Sequence, residues 1–177
     1  MNIVLIGHRG SGKSTVGQLA AKRLGWRFTD TDQMIMEEKG KTIKELFDQL
    51  GEQGFRRIER KVLESLRKAK NRVISVGGGA ITDPDNCSLL KRIGRVVWLR
   101  APASILWARI CQDPHSAKTR PDLTAAGGLA EIEKVLQERE PIYEGLAHQT
   151  IDTMTMDPEE VAVTIEMWFR ANDMESA

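Results

Sequence analysis

Residues 7–15 read GHRGSGKST, and Gly7, Gly12, Lys13 and Ser14 within them fit the pattern G-x-x-x-x-G-K-[ST]. The stretch follows a short apolar run, IVLI at residues 3–6. It precedes a segment whose apolar positions Val16, Leu19, Ala20 and Leu24 recur at helical spacing, with Gly25 as a stop. Strand, glycine-rich turn and helix in that order build a nest of inward-pointing backbone N–H groups. Such a nest holds phosphates, with Lys13 reaching the outer ones and the Ser14 hydroxyl able to ligate Mg²⁺. At average composition the pattern arises by chance in roughly one chain in a hundred of this length. Gly10, Ser11, Gly12, Lys13, Ser14 and Thr15 are the expected phosphate contacts of a nucleoside triphosphate.

Outward from this loop, apolar runs keep alternating with helical patterns. Residues 26–29, 72–76, 96–99 and 150–153 read as further strands. Thr42 and Glu45 stand at capping-box spacing before a helix that Gly51 ends, and Phe55, Ile58, Val62, Leu66 and Ala69 line the next apolar face. Asp83-Pro84 opens a helix that stops near Gly94, and residues 103–111 form another. Residues 112–128 lack periodicity and carry Pro114, Pro121 and a glycine pair, so they read as a long loop, a lid over about residues 112–127. A helix then runs through Arg139, and the last one starts at Asp157-Pro158 and turns Val161, Ile165 and Trp168 inward. Five strands alternating with helices predict one α/β domain over residues 1–177, a three-layer sandwich around a five-stranded parallel sheet. Ligands of open sheets bind at the carboxyl ends of the strands, where the Gly-rich loop, the acids Asp30 and Asp32, and Gly77-Gly78-Gly79 all fall.

Composition narrows the class. The chain has 177 residues, enough for one core, and 26 basic against 25 acidic residues leave a net charge of only +1. That balance excludes a general nucleic-acid binder, and no apolar run approaches the ~20 residues needed to span a bilayer. Cys87 and Cys111 form no CxxC pair, and His8, His115 and His148 have no zinc spacing. All five read as packing or surface residues of a cytoplasmic protein.

Taken with the loop, the DTD of residues 30–32, FRRIE at 55–59, the triple glycine, RPDLT at 120–124 and REPIY at 139–143 resemble, in register, the shikimate kinase family of P-loop small-molecule kinases. The resemblance implies ATP and Mg²⁺ as cofactors, shikimate as substrate and a monomer. It places Asp30 on Mg²⁺ through water beside Ser14, and Asp32 on the reacting hydroxyl as base or orienter. Arg56 and Arg139 would clamp the substrate carboxylate, Gly77, Gly78 and Gly79 would approach its ring, and Arg120 would close over ATP. Arg109 and the segment near Asp152 and Thr153 would meet the adenine.

The residues leave alternatives open. Asp32 also fits a helix cap, the glycines fit a flexible turn, and Glu59 fits an i,i+3 surface partner for Arg56. Arg139 has independent support, since it extends the apolar face of Ile132, Val135 and Leu136, where a charge needs a partner. Arg9 stands where an apolar residue is common in the family, and Asp122 follows the lid arginine closely; both depart from the pattern. A gluconate or nucleotide kinase and a non-catalytic ATP-binding switch remain as rival functions.

Overall fold

The computed structural model describes residues 1–113 and 128–174. Five strands, β1 (Ile3–Ile6), β2 (Arg27–Asp30), β3 (Arg72–Ser75), β4 (Arg95–Arg100) and β5 (Gln149–Asp152), form one parallel sheet in the order β2-β3-β1-β4-β5. The central strand β1 is wholly buried, as a continuous IVLI run demands. Its side chains alternate between two cores. Ile3 and Leu5 meet Val16 and Ala20 of α1 (Lys13–Leu24) and Val161 and Ile165 of the last helix, α7 (Pro158–Met174). Val4 and Ile6 face Leu63 of α3 (Ile43–Ser65), Leu90 of α4 (Pro84–Ile93) and Tyr143 of α6 (Gly128–Leu146). The two faces make the expected three layers.

One helix ends where the sequence suggests and another runs further. Gly51, the expected end of the first, breaks the helical geometry at φ 65°, ψ 176°, and a second helical run within α3 starts directly after it. The capping box of Thr42 and Glu45 starts this element as expected. Helix α6 passes through Pro141 and ends at Leu146 rather than Arg139. An interior proline costs about 3 kcal/mol. Burial of the Tyr143 and Leu146 side chains, each worth about 1.5–3 kcal/mol, offsets that cost. Strand β2 ends at Asp30, which sets that acid at the strand's carboxyl end, and α2 (Thr31–Lys39) follows at once. Helix α5 (Ala103–Gln112) leads towards the expected lid, and Arg120, Asp122 and His115 lie outside the described residues. No helix among the described residues is long and apolar enough to cross a membrane.

Candidate active site

The glycine-rich loop joins β1 to α1 and encircles the Lys13 ammonium. Lys13 is 8% exposed, and its Nζ donates to the carbonyls of Gly7 at 2.8 Å and His8 at 2.9 Å. Gly12, at φ 89°, stands at the N-cap of α1, and no side chain caps that helix. The first-turn N–H groups and the positive end of the helix dipole therefore face the cavity, which suits an anion. That cavity holds about 560 Å³ and is lined by residues 9–16 together with Asp32, Arg109 and Thr153, a size suited to a nucleotide. Arg109 donates from Nη1 to the Thr153 hydroxyl at 3.1 Å and from Nη2 to its carbonyl at 2.6 Å. The two regions expected to meet the adenine thus join at one wall.

The acids of the DTD stretch have separate places. Asp30 caps α2, its Oδ1 accepting from the N–H groups of Asp32 at 3.0 Å and Gln33 at 3.3 Å. Its other oxygen, Oδ2, accepts from the Ser14 hydroxyl at 2.9 Å. The cap is therefore Asp30, and the alternative of Asp32 as cap falls. A hydroxyl and a carboxylate oxygen side by side are hard oxygen donors of the kind Mg²⁺ takes, with waters and phosphates completing its shell. Asp32, 6% exposed, lines both the nucleotide cavity and a second, smaller one.

The second cavity lies between α3, α6 and the triple glycine. None of these three glycines has a positive φ. Their lack of a side chain is needed for space instead. A Cβ on Gly77 would come within 2.8 Å of Asp32 Oδ1 and 3.1 Å of Glu59 Oε1, and one on Gly79 would overlap the Arg56 guanidinium. The close neighbours are side chains of the protein itself, which accounts for Gly77 and Gly79 without invoking a flexible turn. Arg56 is held by Glu59 at 2.9 Å and by Glu52 at 3.3 Å, and lies over the rings of Phe47 and Phe55. Arg139 enters from α6 and donates from Nη1 to the Gly78 carbonyl at 3.0 Å. Asp32, Arg56, Arg139 and the three glycines thus converge, with Arg9 on the same wall.

Three participants escaped the sequence reading. Glu59 is no surface partner: it is 1% exposed, and burial pushes its carboxyl up to about 7 against the pull of Arg56, with Asp32 and Asp83 adding repulsion. The signal was present, because Glu59 continues the apolar face of Phe55 and Val62 and deserved the argument applied to Arg139. His8, read as a packing residue, is indeed buried at 4% exposure, but it also lines the second cavity. Burial, reinforced by the charges of Lys13, Arg139 and Arg9, lowers its pKa to about 4, so the ring is neutral. Tyr143, one helical turn beyond Arg139, donates to the same Gly78 carbonyl at 3.1 Å.

Known proteins resemble this chain in sequence and in fold. The profile of the shikimate kinase family matches residues 9–169. "Shikimate kinase" of Thermodesulfovibrio yellowstonii is 40% identical, over 93% of this chain and 92% of that protein. A solved shikimate kinase from Acinetobacter baumannii, in complex with shikimate, superposes with a TM-score of 0.89 at 37% identity, covering 97% of this chain and 93% of that one. A gluconokinase from Sinorhizobium meliloti reaches a TM-score of 0.62 at 17% identity, which shows the fold alone. With a family profile across most of its length and relatives of this identity, the chain belongs to the shikimate kinase family.

Proposed function

We propose that this protein transfers the γ-phosphoryl group of MgATP to the 3-hydroxyl of shikimate, giving ADP and shikimate 3-phosphate for aromatic amino-acid synthesis. The place of Asp32 carries the reading: one buried carboxylate borders both the nucleotide cavity and the cavity of the arginines. There it accepts the hydrogen bond of the attacking hydroxyl and aligns it with the phosphoryl group. Arg56 and Arg139 bind the substrate carboxylate at the opposite end, fixing which hydroxyl reaches Asp32. Gly77, Gly78 and Gly79 let the ring approach the backbone, and Glu59 holds Arg56 in place.

On the nucleotide side, residues 10–15 cradle the phosphates, Lys13 neutralises them, and Arg109 borders the adenine end. Ser14 and Asp30 would hold Mg²⁺, which supplies charge neutralisation across the phosphate oxygens when bound. The protein's own work is positioning and exclusion of water, since phosphoryl transfer asks little covalent chemistry of it. The same reading takes it as a cytoplasmic monomer, which sedimentation of the purified chain checks.

Calorimetric titration with shikimate and with gluconate, each in the presence of a non-hydrolysable ATP analogue and Mg²⁺, tests the substrate. Shikimate should bind more tightly. Tighter binding of gluconate would overturn the assignment, and a wild type that binds ATP but turns over neither acid would make it a switch.

A further inference from the structure

Three consecutive glycines have no side chains with which to anchor themselves, so their position depends on what holds their carbonyls. The Gly77 carbonyl accepts from the Ala80 N–H at 3.0 Å, and the Gly79 carbonyl from the Thr82 N–H at 3.1 Å and the Thr82 hydroxyl at 2.8 Å. Both are local contacts within one turn. The Gly78 carbonyl is different. Both of its side-chain donors come from α6, more than sixty positions away: Arg139 Nη1 at 3.0 Å and Tyr143 Oη at 3.1 Å. Two donors match the two lone pairs of a carbonyl oxygen.

Tyr143 is suited to a fixed role. Its side chain is fully buried, and its ring stacks on Trp98 of β4 with centroids 5.4 Å apart. Burial pushes its hydroxyl up to about 12, so it stays protonated and remains a donor at any working pH. The spacing of four residues puts it on the same helix face as Arg139, and the intervening Pro141 keeps α6 from supplying that turn with a full set of backbone bonds. The Tyr143–Gly78 bond therefore ties the turn that carries Arg139 to the loop that carries the glycines.

We propose that Tyr143 is a positioning residue for the substrate carboxylate: by sharing the Gly78 carbonyl with Arg139, it fixes the guanidinium and the Gly78 backbone in the geometry that receives the acid. This rests on the reading of Arg139 as a carboxylate clamp. One of the five N–H donors of Arg139 is committed to Gly78, and that bond aims the rest of the fork. Without the tyrosine hydroxyl the carbonyl rotates more freely and the fork loses its reference point.

The test is Tyr143→Phe, which keeps the ring on Trp98 and removes only the hydroxyl. Steady-state kinetics should show the KM for shikimate raised about 3- to 10-fold, the range expected for one lost hydrogen bond, with kcat and the KM for MgATP changed by less than about twofold. The KM for the primary-alcohol analogue of shikimate, which lacks the carboxylate, should stay at its wild-type value. In an Arg139→Lys background the same substitution should add less than about twofold, because the two residues act through one carbonyl. Equal losses for acid and alcohol, or an undiminished effect in the Arg139→Lys background, would overturn the proposal and leave Tyr143 a core residue. An unchanged KM for shikimate in Arg139→Lys itself would refute the clamp, a separate failure.

Discussion

Replacing Gly79 with alanine asks a methyl group to enter space that Arg56 already fills. The backbone there, at φ −95° and ψ −7°, is open to any L residue. The backbone therefore adds no strain, and the stiffer unfolded chain by itself would favour the native state by ~0.4–1 kcal/mol. The cost falls on the carboxylate clamp. The added Cβ would stand 2.9 Å from both Cζ and Nη1 of Arg56 and nearer still to Nη2. Ordinary contact needs about 3.5 Å, so the guanidinium must withdraw by roughly 1 Å at Nη2. It has little freedom to do so, because Glu59 holds it at 2.9 Å and the rings of Phe47 and Phe55 lie against it. Loss of an aligned hydrogen bond to a charged partner costs about 1.5–3 kcal/mol, which corresponds to a KM for shikimate raised about 10- to 150-fold. The KM for MgATP should change by less than about twofold, since Gly79 does not line the nucleotide cavity. A coupled assay of ADP release, with thermal melting as a check on folding, measures all three quantities. A folded Gly79→Ala enzyme with wild-type KM for shikimate would refute the reasoning.

The neighbouring glycine should fail differently. A Cβ on Gly77 meets Asp32 Oδ1 at 2.8 Å, so Gly77→Ala should lower kcat about 10²-fold while nucleotide affinity, read by calorimetry, is kept. Glu59→Gln should show itself in stability against pH. The folded carboxyl of Glu59 sits near 7 against 4.5 when unfolded, so the native state binds that proton more tightly. Wild-type stability from this group is fully present below the unfolded value and is lost as pH rises through 7, whereas glutamine does not titrate. The stability of Glu59→Gln relative to wild type, from urea unfolding, should rise by about 2–3 kcal/mol between pH 5 and pH 8. A gap that stays constant over that range contradicts the burial argument.

The strands were legible because a parallel sheet covered on both faces needs runs such as IVLI, and little else in the chain has that form. The nucleotide half of the site was equally open to reading, since its chemistry resides in backbone geometry that glycines announce. The substrate half was harder. Arg139 was readable from the apolar face it interrupts, yet Glu59 interrupts an apolar face in the same way and was paired with Arg56 on the surface instead. An i,i+3 pair looks the same in sequence whether water or protein surrounds it, and burial depends on α6 and the glycines closing over α3. The helix end at Arg139 was misplaced for a related reason: Pro141 signals a stop locally, while the packing of Tyr143 and Leu146 against the sheet decides otherwise. Asp30 and Asp32 could be told apart only by their surroundings: which of the two caps α2 needed the observed N–H distances.

The central claim is that Asp32 serves the acceptor hydroxyl and leaves the nucleotide to its neighbours. Asp32→Ala, assayed for ADP release with shikimate and titrated with an ATP analogue, tests it most directly. The account predicts turnover lowered by at least about 10²-fold with nucleotide affinity within about twofold of wild type. Turnover within about tenfold of wild type, or a loss of nucleotide binding that accounts for the whole defect, would contradict it.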